Sequence, residues 1–147
     1  MAQFARPSAD TVRESWDEDD GTTDALWGRI DEVSASDADY IRSQLAPGGD
    51  AYVTALTNVT DPVSSAGHVI RYRYAKSAAA GAQQNLTAEL RQGYVSEVSL
   101  GTLIKTLGTH VDISETITQN NVTLSAGEAD SITDYTSLFL RFVATQV

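Results

Sequence analysis

The chain contains no cysteine, which excludes a disulfide framework and any thiolate metal site and leaves burial and hydrogen bonding to hold the fold. Proline is scarce, with three residues in 147. No apolar run approaches the roughly 18 residues needed to span a bilayer, so no membrane partner is expected. The opening Met1-Ala2-Gln3-Phe4-Ala5-Arg6-Pro7 lacks the basic-then-apolar order of a signal peptide, and no export signal is read there. Basic residues are also few: 10 Lys and Arg against 20 Asp and Glu give a net charge of −10. Binding a phosphate backbone requires a clustered basic face, and the field here has the opposite sign, so nucleic acid is not an expected partner.

What is present is a short, polar, β-prone sequence. A domain of this length buries roughly 68–70% of the surface of its unfolded chain, enough for a core without staples. The acidity is lopsided: residues 1–50 hold 12 acids and 4 bases, residues 51–147 hold 8 and 6. Residues 1–15 have no sustained period and read as an extended N-terminal arm. Residues 16–147 read as one domain. The acidic cluster Asp17-Glu18-Asp19-Asp20-Gly21 reads as a turn, and a first short strand is expected over Leu26 to Ile30.

Further strands are expected over 51–59 and 68–76, where Ile70, Tyr72 and Tyr74 share one face and Arg71 and Arg73 the other. Another spans 84–91, where Leu86, Ala88 and Leu90 alternate with Thr87, Glu89 and Arg91. Residues 93–111 fit one or two strands broken at Gly101 or Gly108, with helix left open, and a strand within 113–124 follows. Ser125 and Glu128 have capping-box spacing, which predicts a single helical turn with Ala129 and Ile132 beneath the sheet. Leu138 to Val143 closes the pattern as a last strand. Seven or eight short strands separated by turns predict an all-β fold, an antiparallel β-sandwich or jelly roll with one short helical turn near the C-terminus.

Chemistry is thinly represented. The two histidines, His68 and His110, are far apart in sequence, and neither a nucleophile elbow nor an S-x-x-K motif occurs. No enzyme activity and no cofactor are expected. Asp31, Glu32, Asp37 and Asp39 could serve glycosidic chemistry only if they line a cleft with perturbed pKa values. Asp17, Asp19 and Asp24 offer hard oxygen ligands for Ca²⁺ without matching an EF-hand loop. Trp16, Trp27, Tyr40, Tyr52 and Tyr94 could stack on sugars, although none cluster in sequence.

Several segments carry a resemblance: Phe4-Ala5-Arg6-Pro7-Ser8-Ala9-Asp10, Ile30-Asp31-Glu32 with Asp37-Ala38-Asp39-Tyr40-Ile41, Gly67-His68-Val69-Ile70-Arg71-Tyr72-Arg73-Tyr74, and Leu124-Ser125-Ala126 through Ile132-Thr133-Asp134-Tyr135 to Leu140-Arg141-Phe142. Together they resemble a group of small structural proteins of tailed bacteriophages. That resemblance implies a virion component on the capsid surface: a head decoration, or cement, protein bound to the major capsid protein. The alternative is a tail- or fibre-associated carbohydrate-binding module. A cement protein of this size is expected to self-associate, here as a homotrimer. The arm Met1 to Ser15 is the docking candidate, through Phe4, Arg6 and Pro7, and deletion of residues 2–12 is expected to release the protein without changing its melting temperature.

Overall fold

The computed structural model describes residues 2–147. Its chain forms nine strands and one α-helix: β1 (Pro7–Val12), β2 (Trp16–Glu18), β3 (Ile41–Ser43), β4 (Gly48–Leu56), β5 (Val69–Tyr74), β6 (Gln84–Gln92), β7 (Thr102–His110), β8 (Thr118–Thr123), α1 (Ala126–Asp130) and β9 (Leu138–Gln146). The fold is mostly β. An antiparallel five-stranded sheet in the order β1-β4-β9-β6-β7 is accompanied by two separate ribbons, β2-β3 and β5-β8. The central strand is β9, in register with β4 through Tyr52↔Phe142 and Thr54↔Leu140, and with β6 through Ala88↔Phe142 and Leu90↔Leu140.

Period-two alternation decides which face is covered. Leu138, Leu140, Phe142 and Ala144 of β9, with Leu86, Ala88 and Leu90 of β6, point to the face on which both ribbons lie. The β5-β8 ribbon packs Tyr72, Ile70, Tyr74 and Val122 over Ala88, Leu90, Ile104, Leu107 and Leu140. The β2-β3 ribbon packs Trp16 and Ile41 with Tyr52, Leu86 and Ala144. Phe142 and Tyr74 touch both clusters and join them.

The capping box predicted at Ser125 and Glu128 is present, and Ala129 and Ile132 enter the core. Where a strand was expected over Leu26 to Ile30, the chain forms a 3-10 turn, Leu26–Arg29. The reason is a distant acceptor: the Asp10 carboxylate takes the Leu26 and Trp27 amides at 2.9 and 2.8 Å and the Tyr52 hydroxyl at 2.7 Å. A carboxylate that satisfies two adjacent amides favours a turn over a ladder. Conversely, Asp17 and Glu18, read as the start of an acidic turn, belong to β2, which pairs with β3, and Arg42 reaches across to Asp17 at 2.7 Å.

Residues 7–12, assigned to the arm in sequence, form the edge strand β1, whose Asp10 ties β1 to Tyr52 and the 3-10 turn. Only residues 2–6 extend beyond it, and Met1 lies outside the described residues. Deletion of 2–12 would therefore remove a sheet strand and a buried anchor, so the expectation of an unchanged melting temperature is withdrawn for that deletion.

Residues 93–111 resolve into one strand, β7, preceded by a loop that folds back on the outer face of the sheet. Gly101, with φ +67°, closes this loop where the backbones of Gln92 and Gly93 leave no room for a Cβ. The loop is held by Tyr94 against Phe139, ring centroids 5.7 Å apart, and by Glu97 on Arg141 at 2.5 Å. Arg141 also meets Glu89 at 3.1 Å, and Glu89 meets Arg91 at 2.7 Å. Two acids and two bases thus neutralise one another on the covered outer face.

Candidate functional site

The two ribbons form separate sheets, linked through side chains such as Tyr74 of β5, which packs against the cluster that holds Trp16. Between them, over the apolar face of the large sheet, lies an open groove of about 1650 Å³. On the sheet side it is bordered by half-buried Leu56 and Phe142, with Leu90, Leu138 and Leu140 beneath them only 3–9% exposed; one wall is the continuous run Ala66 to Ser77, which contains β5; another is the arm Ala2 to Pro7 with Val59 and Thr60; one end is the segment Val33 to Leu45. Protein interiors are packed like organic crystals, with few voids larger than a water molecule. An opening of this volume is a surface feature and the candidate place for a partner or ligand.

The arm is placed by pairing beyond β4. Gln3 exchanges hydrogen bonds with the Thr60 backbone, donating from Nε2 and accepting at Oε1, both at 2.8 Å. The Thr57 amide donates to the Arg6 carbonyl at 2.7 Å. Of the candidate docking residues, Phe4 is 60% exposed and the Arg6 guanidinium lies 5.1 Å from its ring centroid, a cation–π contact. Pro7 begins β1, in register with Leu56. All three line the groove.

The β5 wall carries a polar cluster that no sequence spacing revealed. Asn120 Nδ2 donates both to the Leu107 carbonyl, at 3.2 Å, and to the Tyr72 hydroxyl, at 2.7 Å. The Tyr72 hydroxyl also lies 2.7 Å from His110 Nε2, and the Tyr74 hydroxyl lies 2.9 Å from His110 Nδ1, so each ring nitrogen shares a hydrogen bond with one phenol. Burial lowers the His110 pKa and raises that of Tyr72. Gly108 makes the arrangement sterically feasible, because a Cβ there would come 2.6 Å from the Tyr72 hydroxyl. The cluster locks the ribbon onto β7.

Of the acids considered for glycosidic chemistry, Glu32, Asp37 and Asp39 line the groove. Asp37 is held by Arg73 at 2.6 Å and Asp39 lies 3.7 Å from Arg29. Burial raises the pKa of Glu32, with Asp39 and Asp31 adding to the effect, and its Oε1 is buried without a hydrogen-bond partner.

The Ca²⁺ candidates do not assemble as predicted from sequence. The compact acidic group is Glu18, Asp19 and Asp20, whereas Asp17 binds Arg42 and the Asp24 carbonyl, not its carboxylate, takes Arg13 Nη1 at 2.8 Å. Glu18 escaped sequence reading because its burial, at 4% exposure, follows from the β2-β3 pairing. Arg29 fills the position a cation would take, 2.5 Å from Glu18, 3.7 Å from Asp19 and 3.4 Å from Asp20. Of the candidate sugar-stacking aromatics, Trp16 and Tyr40 line the groove, while Tyr52 is fully buried and Tyr94 packs on the opposite face of the sheet.

No helix among the described residues is long and apolar enough to cross a membrane. Comparison with family models, with curated proteins and with solved structures finds no match to this chain.

Proposed function

We propose that this chain is a non-enzymatic structural subunit of a virion: a decoration protein that binds the major capsid protein on the outside of an assembled bacteriophage head and stabilises the shell. The observation that carries the reading is the groove walled by the arm, where Phe4 is 60% exposed and Leu56 and Phe142 are only half-buried, apolar surface that a second chain could cover. The resemblance of residues 4–10, 30–41, 67–74 and 124–142 to small phage structural proteins supplies the setting. Phe4, Arg6 and Pro7 are the docking residues at the groove's rim.

The two ribbons facing one sheet make a sandwich whose second layer is incomplete, which is how we read the jelly-roll expectation. A subunit that binds only the assembled shell adds its binding free energy to that state alone. Self-association into a trimer would multiply weak single contacts into avidity. The groove's aromatic lining, with Phe4, Tyr40, Tyr72 and Phe142, supports the alternative of a tail-associated glycan-binding module.

The deciding experiment is the copy number in purified particles, by quantitative mass spectrometry against the major capsid protein. One copy per coat subunit, or a simple fraction of that, is expected. A handful of copies per particle moves the protein to the tail and favours the glycan reading. Absence from particles refutes both.

A further inference from the structure

The groove has a strand edge for a wall. The Leu124 amide donates to the His68 carbonyl at 3.0 Å, and the register steps in phase from that pair: Ile70↔Val122, Tyr72↔Asn120, Tyr74↔Thr118. In an antiparallel ladder, residues two apart share one bonding side, so Ile70, Tyr72 and Tyr74 turn their backbone groups to β8. Val69, Arg71 and Arg73 therefore turn their N–H and C=O groups to the opposite edge, which pairs with no strand among the described residues. That edge borders the groove, whose wall takes every residue from Ala66 to Ser77 without a break.

We propose that the groove receives an extended segment of a partner protein, which adds to β5 as a strand and completes the second layer of the sandwich. Three features define that segment. The free edge demands a backbone in β conformation, since only that returns hydrogen bonds at the ladder spacing. The incompletely covered apolar groups along the groove, half-buried Leu56, Ile70 and Phe142 with the exposed Phe4, favour an apolar residue at every second position of the segment.

Charge supplies the third feature. Arg73 is neutralised by Asp37 at 2.6 Å and Lys76 lies 3.7 Å from Asp112. Arg71, exposed on the same wall, makes no ion pair among the described residues, in a chain with twice as many acids as bases. An acidic residue on the outward face of the incoming strand would meet it. The chain's own arm fits poorly as occupant, because residues 2–6 contain no acid and Gln3 and Arg6 are already bonded to Thr60 and Thr57.

The inference rests on the proposed virion reading only for the identity of the partner, so its test uses no particles. The purified protein is presented to a displayed library of random nine-residue peptides, and the enriched peptides are synthesised for fluorescence anisotropy. The expected peptides alternate apolar and polar residues and carry an acid. N-methylation of their edge-facing amides should weaken binding at least tenfold on the unaltered protein, whatever becomes of any variant's fold. Arg71→Glu should weaken it comparably, and the amides of Val69, Arg71 and Arg73 should exchange more slowly in the complex. Failure to enrich peptides, or enriched peptides whose affinity ignores both backbone methylation and Arg71→Glu, overturns the proposal. Self-association abolished by Val69→Pro, which removes only an edge-facing amide, also overturns it by making a second copy the occupant.

Discussion

Replacing Asp10 with alanine should cost about 3 kcal/mol of stability. The carboxylate accepts from the Leu26 amide at 2.9 Å, the Trp27 amide at 2.8 Å and the Tyr52 hydroxyl at 2.7 Å. Leu26 and Tyr52 are 0% exposed, so their donors have no water to turn to, whereas the half-buried Trp27 amide regains solvent. Each orphaned buried donor costs about 1–3 kcal/mol, and two of them, with partial relaxation of the turn, give about 3. At about 2–4 °C per kcal/mol for a domain of this size, the melting temperature falls by about 6–12 °C. Tyr52→Phe removes donor and need together and should cost only about 1 kcal/mol. Equilibrium urea denaturation followed by tryptophan fluorescence reads both, since Trp16 and Trp27 flank the anchor. A loss below 0.5 kcal/mol in Asp10→Ala, on the order of measurement error for such extrapolations, or one no larger than in Tyr52→Phe, would refute the reasoning.

Three further outcomes are expected. Deleting residues 2–6 should leave the urea midpoint unchanged while deleting 2–12 lowers it sharply, because only the second removes β1; equal midpoints would contradict the sheet assignment. Stability should hold above about pH 7 and decline as pH falls through the ordinary histidine range near 6.5, because the unfolded chain takes up a proton that buried His110 resists. The midpoint against pH should lose that slope in His110→Gln, while the separate loss below about pH 4.5 persists. That acid limb belongs to Glu97, held low by Arg141, to Glu128, held low by Lys105, and to Glu89, where Arg91 and Arg141 outweigh a burial effect of opposite sign. Arg141→Ala should cost about 1–3 kcal/mol, since it leaves Glu97, 30% exposed, with no cation and only the Tyr94 hydroxyl, and Glu89, 12% exposed, with Arg91 alone; a midpoint shift under a quarter of that would show the loop 93–101 to be held by Tyr94 alone.

Much of the large sheet was legible in the sequence because its strands alternate. Leu86, Ala88 and Leu90 predicted β6, Leu138 to Val143 predicted β9, and Ser125 with Glu128 predicted the cap of α1, each from information within a few residues. The β2-β3 ribbon and the 3-10 turn were not legible, because Asp10 acts on Leu26 and Trp27 across 16 and 17 residues, and no local pattern encodes such a partner. Arg91 misled for a related reason: it alternates as a surface residue does, yet it is 8% exposed because the 93–101 loop folds over it. The groove was invisible in sequence, since Phe142 reads as an ordinary core position and only the placement of the two ribbons leaves it half-buried beside the opening. The Tyr72, His110 and Asn120 cluster joins three strands and escaped for the same cause.

The position of β9 at the centre of the sheet has a consequence for how the chain comes into being. β4 and β6 have no common neighbour until residues 138–146 have been made, so a nascent chain carries two unfinished half-sheets with open edges for most of its synthesis. Pairings that wait on distant segments are slow to form and leave strand edges available to other chains in the meantime. A ribosome stalled before residue 138 therefore yields a product that cannot assemble its main sheet at all, and abundant expression of this protein should depend on chaperone supply more than that of a helical protein of equal length.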